Sequence, residues 1–438
     1  VFDTLRRDVL PMYGGRADTP NLNEFAKDSV IFPNAISPSP WTYPSHISLI
    51  TGLYPFEHEG HEYFNETKNE FDLNIHYKGK TVTEKLYEKG YNTIGLTANG
   101  VIGPESGFDK GFNYFEHIPP DALYTYELKK VKEIFPDGNI NLKKIYKFNE
   151  MLKLYGLYKK MNSYKKYNLW PKLKGANIIV QRFFEISINK PFFLFLNFVE
   201  PHEPYVKWEL TRFKYPFYKQ MLFVEDLADK KIPDKIINDI REKYVDNLNL
   251  LDFYFGELIK YLKKIKEYEN SMIIITSDHG QALKEKNYYT HGLFLYDQII
   301  EIPLIVKFPN NKKIIISEHG YQSITHLNKL ILNAVDGNIL DITEEKVFSE
   351  SYGFHVPLFK VIKDKNKALE MKNRYGNPRK AVYKNGFKLV INGNNGEIEE
   401  FTLKGKDVSP QDHKEVLDDL LNELEIFKGT QRFVVKNN

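Results

Sequence analysis

Short apolar runs alternate with amphipathic stretches through the first two-thirds of the chain. Residues 29–32, 93–96, 192–198 and 272–276 are apolar or β-branched, which predicts buried parallel strands. Helical spacing predicts helices over 21–27, 45–53, 81–89 and 243–264. In the last of these, Leu248, Leu251, Phe255, Leu258 and Leu262 recur every three or four positions, so one face is buried. Alternating strand and helix predict an α/β fold, a sandwich with a mainly parallel central sheet and helices on both faces.

The pattern changes twice. Between about 119 and 190 Lys and Tyr crowd together, as in Leu154-Tyr155-Gly156-Leu157-Tyr158-Lys159-Lys160, and predict a helical insertion over the active-site side. Such a stretch suits a solvated lid, and also contact with an anionic membrane surface. After Pro309, short alternating segments at 381–383, 387–391 and 398–401 are divided by turn residues such as Asn392-Gly393-Asn394-Asn395-Gly396. These predict hairpins, followed by an amphipathic helix over 411–427. The expected organisation is a catalytic domain over 1–309 and a small C-terminal α+β subdomain over 310–438.

Composition adds exclusions. The formal net charge of +3 points to no nucleic-acid partner, and the absence of cysteine removes disulfides, thiolate metal sites and Cys nucleophiles. The apolar run at 192–199 is of strand length, far below the roughly 18 residues of a membrane span. No signal peptide is visible, so the default compartment is the cytoplasm. Yet Asp3 follows only two residues where a strand is expected, and the N-terminus reads as a fragment.

Candidate chemistry sits at the ends of these strands. In Trp41-Thr42-Tyr43-Pro44-Ser45-His46, Thr42 suits an N-cap, Pro44 the first turn and Gly52 the helix end. A hydroxyl there lies among unpaired backbone N–H groups, although taken alone the segment is better explained as a plain capped helix. The strand at 272–276 runs into Ser277-Asp278-His279-Gly280, where open α/β sheets keep their sites. A carboxylate beside an imidazole suits a divalent metal. Asp3, the segment Glu200-Pro201-His202-Glu203-Pro204-Tyr205 and Thr290-His291-Gly292 complete the set. His46 either orients Thr42 or packs in its helix. Asp252 reads as structural, and His58, His61, His76, His117, His319, His326, His355 and His413 read as surface residues.

Taken in order, Asp3-Thr4-Leu5-Arg6, Thr19-Pro20-Asn21-Leu22, Trp41 through Pro55, Ser277 through Gly280, His291-Gly292 and Ile302-Pro303-Leu304-Ile305-Val306 resemble the sulfatase-like enzymes of the alkaline phosphatase superfamily. The resemblance implies that Asp3, Asp278 and His279 bind a divalent metal and that Thr42 is the nucleophile and touches it. It further implies that His202 and Asn99 face the substrate, and that His291 is a cationic or proton-donating residue near the transferred group. Only one site is complete, so one ion is expected, zinc or manganese ahead of magnesium or calcium because of the imidazole.

The chain departs from sulfatases proper, which need Cys or Ser at the Thr42 position for oxidation to formylglycine. Their Lys near Asn99 is absent, and Asp278-His279 stands where they often have Asp-Asn. These changes point to a phosphoryl-ester hydrolase or transferase acting on a small-molecule, lipid or glycan ester. The alternatives are a sulfatase working without formylglycine, a membrane-anchored lipid-head-group transferase, and a silent binding protein that kept the fold.

Overall fold

The structure, a computed structural model, describes residues 1–61, 64–65, 70–71, 77, 79–118, 174–203, 205, 223–224, 234–353 and 365–427. Most of the expected basic insertion therefore lies outside the described residues.

The large sheet uses strands β1 (Val30–Ile36), β2 (Asn92–Thr97), β3 (Tyr114–His117), β4 (Phe192–Asn197), β5 (Ile273–Thr276), β6 (Glu301–Lys307) and β7 (Gln322–Ser323). One half has the order β3-β2-β4 with both pairings parallel, and the other has the order β5-β6-β1-β7. Phe2 joins them, bridging Phe198 in parallel and donating its N–H to Thr276 O at 2.9 Å. The order across the layer is thus β3-β2-β4, residues 1–3, β5-β6-β1-β7. Strand β6, absent from the sequence reading, runs antiparallel to both β1 and β5; β1 and β7 are parallel.

Helices cover both faces. Helices α1 (Pro20–Lys27), α4 (Ala176–Glu185) and α5 (Asp234–Lys264) bury Leu22, Phe25, Ile179, Leu248 and Phe255 against Leu96, Phe198 and Ile275. On the other face α2 (Thr42–Thr51), α3 (Val82–Glu88) and α7 (His326–Val335) press Leu49, Leu86 and Leu330 against Phe32, Phe195 and Leu304. Burial of such side chains contributes about 1.5–3 kcal/mol each, which holds the layers together. The segment from 322 to 335 still builds onto this layer.

The second sheet begins at Lys346 and runs β8 (Lys346–Ser351), β9 (Arg379–Lys384), β10 (Phe387–Asn392), β11 (Ile398–Leu403) and β12 (Lys406–Asp407), all antiparallel neighbours. Asn385-Gly386 turns β9 into β10 with φ of 52° and 83°, the left-handed pair a tight hairpin needs. Helix α8 (Lys414–Ile426) seals one face through Leu417, Leu420 and Leu424. Val347, Ala381 and Val390 pack on Ile299 and Ile300 of the short helix α6 (Asp297–Ile300), next to β6.

Candidate active site

Each candidate residue leaves the end of a strand or the start of a helix. Thr42 opens α2, with Trp41 as the extended N-cap residue and Gly52 closing the helix at φ 78°. The expected N-cap is therefore displaced by one residue. The hydroxyl of Thr42 makes no cap and lies 3.2 Å from His279 Nε2. His279 Nδ1 donates to Gly280 O at 2.8 Å, which turns the Nε2 lone pair toward the centre.

Asp3 and Asp278 are pinned to each other through the backbone. Thr4 N–H donates to Asp278 Oδ1 at 3.2 Å, and Leu5 N–H to Ser277 Oγ at 2.9 Å. Thr4 holds φ 58°, a left-handed conformation unusual for a β-branched residue and the kind of strain found at functional sites. Gly280 completes the turn because a Cβ there would meet Gln298 O at 2.2 Å.

Asp3, Asp278 and His279 are buried and offer ligand atoms within 4.8 Å of one another. Asp3 Oδ1 and Asp278 Oδ2 are buried with no hydrogen-bond partner. Unpaired buried carboxylate oxygens are costly unless a cation meets them, so this donor set fits a divalent metal. Burial, then the neighbouring Asp278, pushes the Asp3 carboxyl up to about 6. Burial acts on Asp278 in the same sense, but His279 and His46 outweigh it and hold that carboxyl below its ordinary value.

A second group, His202, Glu203 and His291, also clusters. The His291 ring lies 4.3 Å from that of His279 and 5.1 Å from that of His202, centroid to centroid. Both ring Nδ1 atoms are engaged: His202 Nδ1 donates to Glu203 O at 2.7 Å, and His291 Nδ1 lies 2.7 Å from Gln281 Oε1. Glu203 accepts from Gln281 Nε2 at 2.9 Å and from Thr290 Oγ1 at 3.3 Å. Burial disfavours the His202 cation, but Glu203 and Asp3 outweigh it and raise its pKa.

The structure brings Asp3, Asn99, Thr42, His202, Asp278, His279 and His291 into one cluster. Asn99 does more than the sequence suggested: its Nδ2 donates to Asp3 Oδ2 while Oδ1 accepts from Val101 N–H. His46 packs in its helix, edge-on to Phe108 and Phe195, donating Nδ1–H to the backbone oxygen of Thr42 at 2.9 Å with Nε2 accepting from Asn197 Nδ2 at 3.0 Å. His58 corrects the surface reading: it is buried and bonds Ser48 Oγ at 2.9 Å. Sequence reasoning missed Gln281 and Lys174, and named Glu203 only as part of its segment, with no role. Lys174 is buried with its ammonium on the carbonyls of Glu200 and His202, and burial pushes its pKa down to about 8. Nothing separated it from the other lysines of the insertion.

The fold and donor set define the alkaline-phosphatase-like class of metal-site α/β proteins. The sulfatase family profile matches residues 1–337, and the chain belongs to that family, within the alkaline phosphatase superfamily. It is similar to a sulfatase of Formosa agariphila, 25% identical over 345 residues covering 72% of this chain and 64% of that one. It is also similar to the iduronate 2-sulfatase of Mus musculus, 22% identical with coverage of 70% and 58%. The chain thus spans only about three-fifths of these relatives' lengths. Among solved structures, a phosphonate monoester hydrolase of Silicibacter pomeroyi superposes with a TM-score of 0.63 at 16% identity, covering 98% and 94% of the two chains. No helix among the described residues is long and apolar enough to cross a membrane.

Proposed function

We propose that this chain hydrolyses or transfers a phosphoryl-type ester through a covalent intermediate on Thr42. The observation that carries the reading is the Thr42 hydroxyl, 3.2 Å from His279 Nε2 beside the two unpaired carboxylate oxygens. Asp3, Asp278 and His279, with Thr42, would hold one divalent ion, zinc or manganese by the mixed nitrogen and oxygen donors. When bound, that ion supplies Lewis-acid polarisation and eases deprotonation of a hydroxyl.

The chain's own groups do the rest. The first turn of α2 presents N–H groups at Thr42, favouring negative charge on its oxygen. Thr42 Oγ1, its proton released to solvent, forms the bond to phosphorus while the ester oxygen leaves with a proton from His291. Water then attacks phosphorus, returning a proton to His291, and the Oγ1–P bond breaks with Thr42 regaining its hydroxyl proton from solvent. His202 stands at the rim, half-buried and cationic in tendency, where an anionic ester would enter.

The family's names favour a second reading, sulfate-ester hydrolysis. Threonine cannot yield the aldehyde that sulfatases use, so a sulfatase here would have to work through Thr42 itself. Metal-loaded protein should cleave an aryl phosphodiester or phosphomonoester with higher kcat/KM than the matching aryl sulfate. Thr42→Ala should abolish turnover while the ion stays bound. An aryl sulfate as the better substrate, its turnover also lost in Thr42→Ala, overturns the phosphoryl reading in favour of the second.

A further inference from the structure

Gln281 is two residues beyond His279, is 3% exposed, and is held from three sides. Its carbonyl accepts from Arg6 Nη1 at 3.1 Å, and Arg6 is itself fixed by Glu285 at 2.8 Å and Asp8 at 2.7 Å. Its amide nitrogen donates to Glu203 Oε2 at 2.9 Å, and its amide oxygen lies 2.7 Å from His291 Nδ1. Next to His291, Thr290 keeps φ 124° and donates to Glu203 Oε1 at 3.3 Å. A β-branched residue in that region persists only where its surroundings hold it.

The chemistry of these groups fixes a proton. A carboxylate only accepts, so the end of the Gln281 amide facing Glu203 must be the NH2 group. The other end is then the carbonyl oxygen, which also only accepts. The nitrogen of His291 that meets it must therefore carry hydrogen. The neutral ring is the Nδ1–H tautomer, and Nε2 is left as the nitrogen that gains and releases the transferable proton.

We propose that Gln281, oriented by Glu203, is a positioning residue that sets the tautomer and ring direction of His291. The relay Glu203–Gln281–His291 does for this imidazole what a buried carboxylate does in a catalytic triad, with a neutral amide in between. The amide fixes the ring without placing a full negative charge against it. The inference rests on reading His291 as the proton donor, and its test separates the two.

The experiment uses the full chain labelled with 15N-histidine, with His291 assigned by its loss in His291→Gln. At a pH well above the imidazole range, wild-type protein should show His291 protonated on Nδ1 and not on Nε2. Gln281→Leu should convert this to a mixture of tautomers. The nearly isosteric Glu203→Gln, which removes the acceptor-only group, should shift the ring the same way by less. On an aryl phosphodiester, Gln281→Leu should lower kcat by about 10- to 100-fold with little change in KM, as loss of an orienting partner does elsewhere. Added to His291→Ala it should cost nothing further. An Nε2–H tautomer in the wild type, or losses that multiply in the double variant, overturns the proposal. If the spectra behave as stated but neither Gln281→Leu nor His291→Ala slows turnover, the positioning role stands and the donor reading of His291 falls.

Discussion

Asp3 and Asp278 place two buried carboxyl groups against one histidine, and the charge balance of that trio decides how the centre responds to pH. A carboxyl whose pKa is higher folded than unfolded favours the fold when protonated. For Asp3, raised from 3.8 to about 6 by burial and then by Asp278, that contribution is complete below about pH 4 and is lost as pH rises through 6. Metal-free protein should therefore lose stability across pH 4 to 6 at this site, and a saturating divalent cation should restore it most strongly above pH 6. Thermal melts across that range, with and without zinc, check this; a metal-induced rise in Tm that does not grow with pH would count against it. The candidate ligand residues were legible because Asp, Asp-His and Thr stand at strand and helix ends. Asn99 was legible only as a nearby polar group, since the carboxylate its amide faces lies 96 residues away.

At the scale of elements, α5 carries more than its apolar stripe. Asp252, read from sequence as structural, accepts the N–H groups of Asn21 at 3.0 Å and Leu22 at 2.7 Å. Thr19 makes no side-chain cap to α1, so a residue of α5 caps it instead. Asp252→Ala should cost about 1–2 kcal/mol in denaturant unfolding, the usual loss for an N-cap, and leave metal affinity unchanged. Weakened metal binding would show that α1 and α5 control the site. Most strands and helices could be read from periodicity, because buried strands here are short apolar runs. Strand β6 was not, since Pro303 interrupts it and its antiparallel direction leaves no trace in composition. Strand β1 extends past Pro33 by a register shift between Phe32 and Ala35, which no local pattern announces.

Across the whole molecule, the second sheet is tied to the first by buried charge as well as apolar contact. Lys388 on β10, 2% exposed, bonds Asp297 of α6 at 2.7 Å and Glu400 of β11 at 2.8 Å; Tyr383 OH also reaches Asp297 at 2.7 Å. Lys388→Met leaves Asp297 without its ion-pair partner and Glu400 with Lys286 alone, and should cost roughly 3 kcal/mol. Hydrogen exchange should then rise first in β9 to β11; uniform acceleration over both sheets would contradict this.

The long reach of the contacts at the centre has a kinetic consequence. Thr4 and Asp278 are 274 residues apart in sequence, and Phe2 sits between strands that are synthesised much later. Chains with such high contact order collapse locally long before their distant partners can pair. On the ribosome, residues 1–3 must wait unpaired until β4 and β5 have both emerged. A cation held by Asp3, Asp278 and His279 would therefore reward only a nearly finished fold and would not nucleate one.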